Sequence, residues 1–233
     1  MRAYNLDRLG LAAAGLVLTS VLSACGGPTL ADLQADEVSM TVTSVASDSS
    51  VATAGDSAGG LGVTRAFLSA SSVTLLPCLS DASDLELGAR GYELLQNPPM
   101  TERVTTAVLE LCGLRVDIDP VAASASEDLA KGTTLYVEGQ DAAGNAFSVS
   151  SLSSVSLSFA PESGASFGDQ PLLLGFDLSL WLAGLPVADE PKASSALLDS
   201  QLLDAAALYV DGNGNGALEA DEMTPVARAR ASR

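Results

Sequence analysis

The sequence predicts a mainly β fold: an antiparallel β-sandwich followed by one C-terminal helix and a glycine-rich acidic loop. Two observations carry this. Short apolar runs with two-residue alternation recur along the chain, separated by clusters of Gly, Pro, Ser, Asp and Asn, the pattern of half-buried strands joined by turns. Against them stands one stretch of helical period, near the C-terminus. A chain of 233 residues with no internal repeat suits a single sandwich with an appendage.

The first strand is marked by Val38, Met40 and Val42 alternating with Ser39, Thr41 and Thr43. Residues 47–60, SDSSVATAGDSAGG, are poor in apolar bulk and read as a long loop. One or two strands follow in TRAFLSASSVTLLPC (64–78), and a short one with glycine bends in DLELGARGYELL (84–95). RVTTAVLELCGLRVDID (103–119) is rich in β-branched residues. In it Leu114, Val116 and Ile118 alternate with Arg115, Asp117 and Asp119, which sets the charges on one outer face. There Arg115 is a surface ion-pair partner, and Pro120 ends the strand. ASASEDLAKG (123–132) is a connector or a helical turn.

TTLYVEGQDAAGNAFSVSS (133–151) reads as a hairpin turning over Asp141–Asn145. VSLSFAPESGASFGDQPLLLGFDLSLWLAGL (155–185) supplies two more strands and a short helix or loop around Trp181, a core or lid residue. The helix is expected over KASSALLDSQLLDAAALYV (192–210), capped by Ser194 or Ser195. Leu198, Leu202, Ala205 or Ala206, and Tyr209 form its apolar face.

The front of the chain, MRAYNLDRLGLAAAGLVLTSVLSACGG, has the layout of an export signal, with basic residues Arg2 and Arg8, an apolar core too short for a confident membrane span, and small residues before Cys25. Leu22-Ser23-Ala24-Cys25 resembles the lipobox of bacterial lipoproteins. The resemblance implies a signal peptide over 1–24, acyl chains on Cys25 as a membrane anchor, and a tether over 25–36. With Gly26 after the cysteine it favours the outer membrane of a Gram-negative bacterium. The folded part is then extracytoplasmic, with the sandwich over 37–188 and the helix plus loop over 189–233.

The chain carries 11 Lys+Arg against 29 Asp+Glu, a net charge of −18. Such a field repels nucleic acid and attracts cations. Cys78 and Cys112 are expected to bridge in an oxidising compartment, which stabilises the fold by roughly 3–4 kcal/mol in the chain-entropy account. With no histidine in the chain, Ser-His-Asp and Cys-His nucleophile systems and histidine zinc sites are excluded. Paired carboxylates remain available for glycoside chemistry, but aromatic content is 4% with one Trp, little stacking surface for a sugar cleft.

The order of AFLSASSVTLLP, LELGARGYELL, VTTAVLELCGLRVDID, TLYVEG, FSVSSLSSVSLSF and LLLGFDLSLWL resembles a sandwich domain of unknown function found in bacterial surface lipoproteins. It spans about residues 36–185, and implies fold and location but no catalytic residues. The cysteine pair and the C-terminal extension depart from it.

DGNGNGALEADE, Asp211 to Glu222, resembles an EF-hand calcium loop over all twelve positions. Calcium takes six to eight oxygens. Asp211, Asn213 and Asn215 stand at positions one, three and five, and Gly216 at the sharp turn of six. Ala217 offers its carbonyl at seven, Leu218 points inward, Glu219 binds at nine directly or through water, and Glu222 closes the sphere at twelve, followed by apolar Met223. Two neutral Asn ligands, two extra glycines and Pro225 soon after the loop set the affinity near the weak extracellular end, roughly 10⁻⁴–10⁻³ M.

The function expected is a non-enzymatic, lipid-anchored structural or binding module with one structural calcium ion and an unidentified protein or glycan partner. A calcium-dependent adhesion or glycan-binding module is the second reading, with Tyr209 and Trp181 as the nearby aromatic candidates. A carboxylate-based hydrolase is the third.

Overall fold

The computed structural model describes residues 36–45, 57–58, 61–79, 81–106, 110–120, 132–141, 143–161, 166–168, 170–185, 191–219 and 221–231. The expected signal peptide, Cys25, the tether up to residue 35, most of the loop at 47–60 and nearly all of the connector at 123–132 lie outside these residues.

The fold is mainly β and built from two sheets. The first runs in the order β13 (Ala227–Arg228), β12 (Ala206–Val210), β11 (Leu172–Asp177), β1 (Asp36–Val45), β6 (Met100–Thr106). The second runs β14 (Arg230–Ala231), β10 (Val155–Phe159), β7 (Leu111–Ile118), β3 (Leu61–Pro77), β8 (Leu135–Gln140), β9 (Ala146–Ser151). Three short strands, β2 (Ser57–Ala58), β4 (Leu85–Leu87) and β5 (Arg90–Glu93), also pair with β3. Pairings among the described residues are antiparallel, apart from β1 with β11.

The alternation of the sequence becomes the core. Val38, Met40 and Val42 of β1 meet Leu114, Val116 and Ile118 of β7 in one apolar cluster. Leu172, Leu174 and Phe176 of β11 join them with Leu135 and Val137 of β8. The two sheets thus share one interior, as a sandwich does. Arg115 faces out and pairs with Asp117 at 3.3 Å. The hairpin of β8 and β9 turns where expected: Asp141 Oδ1 accepts the amides of Ala143 and Asn145, and Gly144 takes a left-handed φ of 82°.

Helix α1 (Leu178–Trp181) is capped by Asp177, whose carboxylate accepts the amides of Ser179 and Leu180. Trp181 is fully buried, tilted against Phe176 at 6.3 Å, and its Nε1–H donates to the carbonyl of Leu198 at 3.0 Å. That bond fastens helix α2 (Pro191–Ala205), which presents Leu198, Leu202 and Ala205 to the core.

Two expectations need correction. The helix begins at Pro191, so Ser194 and Ser195 lie inside it and neither is its cap; proline suits a first helical turn because its missing N–H would have no helical partner there. The helix also stops at Ala205. Ala206–Val210 is strand β12, paired with β11 from Phe176↔Ala206 to Leu172↔Val210. Strand pairing there buries Ala206 and Leu208 on one face and overrides helix propensity, a weak prior. As a result β12 and β13 belong to the first sheet.

Cys78 and Cys112 bring their sulfurs to disulfide distance, 2.13 Å, across β3 and β7. The Tyr92 hydroxyl is buried with no hydrogen-bond partner among the described residues. Burial, with Glu102 nearby, pushes its ionisation well above the ordinary value. Since an unpaired buried hydroxyl is costly, Tyr92→Phe is expected to raise unfolding stability by about 1 kcal/mol, read as a higher urea midpoint at unchanged m-value.

Asp117 is the acid-sensitive group of the outer face. Burial raises its pKa, but donors Ser156 and Ser72, with Arg115, outweigh that and hold it below the ordinary carboxylate value. A folded-state pKa below the unfolded one gives stability that is present above the unfolded value and lost as pH falls through the folded one. Asp117→Asn should therefore flatten the loss of stability below about pH 4, measured by urea titrations at stepped pH.

Candidate metal loop

The twelve residues from Asp211 to Glu222 lie in the connection between β12 and β13, which pair antiparallel through Ala207↔Arg228 and Leu208↔Ala227. The loop therefore closes a β-hairpin. The helix expected to lead into it ends five residues before Val210, and no helix follows Glu222 among the described residues.

Amides of the loop hold its side-chain oxygens in place. Asp211 is 1% exposed, and its two carboxylate oxygens accept Asn215 N at 3.2 Å and Gly216 N at 2.7 Å. Asn213 Oδ1 accepts Asn215 N at 2.9 Å, and Asn215 Oδ1 accepts Ala217 N at 2.7 Å. The Asn215 amide donates to Glu219 Oε1 at 3.0 Å. Glu222 reaches back across the loop, accepting Gly212 N at 2.7 Å through one oxygen and Glu219 N at 3.1 Å through the other. First and last acidic positions are thereby tied into one ring of turns. A carboxylate oxygen that accepts one N–H retains a further acceptor direction.

Two glycines make the path possible. Gly214 and Gly216 have φ of 68° and 74°, a region that a Cβ disfavours. Gly216 also lies over β1, where an added Cβ would meet Pro99 and Thr41 at 3.5–3.6 Å. Leu218 is the loop's apolar anchor, buried against Val45 and Leu173, with Tyr209 packed alongside. These residues lie on the outer face of the first sheet, opposite the sandwich core. Tyr209 in turn covers Gly175, where a Cβ would come within 3.0 Å of its ring and closer still to Val45.

The sequence-predicted ligand positions Asp211, Asn213, Asn215, Glu219 and Glu222 thus share one hydrogen-bonded loop, with Ala217 in the same turn. Among the described residues no three histidine, cysteine or carboxylate side chains gather as a metal cluster. A site here draws on amide and main-chain oxygens as much as on carboxylates. Trp181, considered as an aromatic platform, is fully buried in the core and presents no face to a ligand. Tyr209 is half-buried under the loop's own packing.

Sequence reasoning missed the outer-face support of Val45, Leu173 and Gly175. Leu173 lies in an unbroken apolar run, LLLGFD, whose length signalled burial on both faces of the sheet.

No family model, curated protein or solved structure matches this chain.

The left-handed turn at position six gives a direct test. Gly216→Ala should lower stability by about 1–2 kcal/mol through backbone strain, seen as a lower thermal midpoint in the presence of chelator. An unchanged midpoint means that the loop does not hold this conformation in solution.

Proposed function

We infer that the loop from Asp211 to Glu222 holds a calcium ion. The protein is then a lipid-anchored, extracytoplasmic, non-enzymatic module whose C-terminal hairpin the ion stiffens. The observation that carries this is the set of side-chain oxygens at positions one, three, five, nine and twelve, bound to the loop's own amides around a buried Asp211.

The donor set fits a hard cation. Its side chains offer oxygen, with neither imidazole nor thiolate among them, and calcium prefers oxygen at flexible geometry. Asp211, Asn213, Asn215, Glu219, Glu222 and the Ala217 carbonyl would hold it. A chain of net charge −18 draws divalent cations toward it. Neutral Asn at two positions keeps the affinity low, at roughly 10⁻⁴–10⁻³ M. That range suits a compartment in which calcium is constant, where the ion is a permanent part of the fold.

Location rests on the lipobox-like Leu22-Ser23-Ala24-Cys25, with support from the pairing of Cys78 with Cys112, because disulfides persist in exported compartments. Membrane attachment through Cys25 and an unidentified protein or glycan partner complete the reading.

Calorimetry on the intact chain is expected to give one calcium site of roughly 10⁻⁴–10⁻³ M. At about ten times Kd the ion should add about 1.4 kcal/mol of stability by mass action. Glu222→Ala should abolish both effects. Absence of binding at millimolar-range calcium, or binding indifferent to Glu222, would overturn the assignment.

A further inference from the structure

Beyond the loop, the chain grips both sheets at once. Val226 N donates to the Leu208 carbonyl, and Ala229 N to that of Ala206, at 2.8 and 3.1 Å. Strand β13 adds the register pairs Ala207↔Arg228 and Leu208↔Ala227 on the first sheet. Two residues later, β14 pairs with β10 on the second sheet through Leu157↔Ala231 and Ser158↔Arg230. Residues 226–231 therefore cross from one sheet to the other.

The grip is small. Ala227 is the segment's fully buried side chain, Val226 and Ala229 are half-buried, and Arg228, Arg230 and Ala231 are exposed. A few methyl groups and four register pairs hold it, so it belongs to the low-stability end of the molecule. Among the described residues neither Arg228 nor Arg230 makes an ion pair. Their attraction to the acidic body is the diffuse kind that salt screens. A pocket of about 310 Å³, half open to solvent, borders the root, its walls including Phe167, Gln170, Val210, Pro225 and Val226. Val210 immediately precedes the loop, while Pro225 and Val226 closely follow it.

We propose that residues 226–231 are a strap whose docking across the two sheets is governed by the ion in the Asp211–Glu222 loop, a regulation that rests on the calcium reading above. Glu222 and Gly212 join the two ends of that loop. Drawn in by an ion, the ends hold the root of the strap next to β12. Without the ion, fifteen residues with three glycines separate strand from strap, and the entropy of closing that segment opposes docking. Lifting the strap uncovers the backbone edges of β12 and β10, which an extended chain segment could pair with.

Trypsin cuts after Arg228 and Arg230 only when the strap opens, so C-terminal trimming of the intact chain reads the equilibrium. Mass spectrometry should find trimming about tenfold slower in saturating calcium than in chelator. The Glu222→Ala protein should be trimmed at one rate in both, which also controls for any effect of calcium on the protease. As a second readout on the unaltered protein, the Val226 and Ala229 amides should exchange hydrogen more slowly with calcium. Calorimetry on the same sample separates the failures. If calcium binds and neither trimming nor exchange changes, the strap inference falls while the calcium site stands. If calcium does not bind, both fall.

Discussion

The architecture depends on one long strand. β3 pairs with β2, β4, β5, β7 and β8, so its two edges organise the whole second sheet. Phe67 and Leu68 pair with both β8 and β5, and Ala70 with both β7 and β5. β7 and β8 therefore leave the same edge of β3, one after the other. Such a fork interrupts the ladder and strands polar groups that must find partners. The register shift between Ala70 and Ser72 marks the place. There the Ser69 amide donates to the Thr134 carbonyl, the Ser69 hydroxyl to that of Asp119, and the Ser71 hydroxyl to the Asp117 carbonyl and the Asp119 carboxylate. The serines in the middle of TRAFLSASSVTLLPC are the chemistry that lets one strand serve two diverging partners.

The first sheet carries the complementary constraint, because it is buried on both faces. Its inner face meets the second sheet, yet Thr41, Thr43, Val45 and Leu173 on the outer face are 3% exposed or less. The turn after β5 provides part of that cover, its Leu94 carbonyl accepting the Thr43 hydroxyl, while Thr41 bonds Thr101 on β6. The acidic loop provides another part by laying Gly216 over Thr41 and Leu218 against Val45 and Leu173. The loop is thus a piece of the packing as well as a ring of oxygens. Its apolar side sits on the sheet while Asn213, Asn215 and Glu219 face solvent, an arrangement that presents the oxygens without unfolding anything to reach them.

Where structure follows from neighbours in sequence, the sequence was readable. The alternation at Leu114, Val116 and Ile118 maps directly onto buried positions, and the Asp141–Asn145 turn follows from local Asp and Gly chemistry. The loop was legible for the same reason: its turns are bonds between residues two to five apart, such as Gly216 N to Asp211. What could not be read depends on distant partners. β1 and β11 pair in parallel across more than a hundred residues, Met40 against Leu172, and nothing in either strand names the other. The burial of Trp181 depends on a carbonyl of Leu198 that only the folded helix pair presents.

The segment AALYV shows how such a distant partner changes function as well as fold. Its two alanines, Ala206 and Ala207, follow directly on Ala205 of helix α2 and continue a helical pattern, and a helix there would have led into the loop as in a helix–loop–helix calcium unit. Pairing with β11 gives instead a strand whose alternate residues serve both faces: Ala206 and Leu208 enter the core, and Tyr209 covers Gly175 outside. A helix could present only one such stripe. Sensor loops of the helical kind report calcium by swinging one helix against another and exposing a groove. A loop that closes a β-hairpin has no helix to swing, and its two strands are already in register. An ion held there tightens what the hairpin has joined and steadies the strap beyond it, so the architecture favours a staple over a sensor that swings a helix.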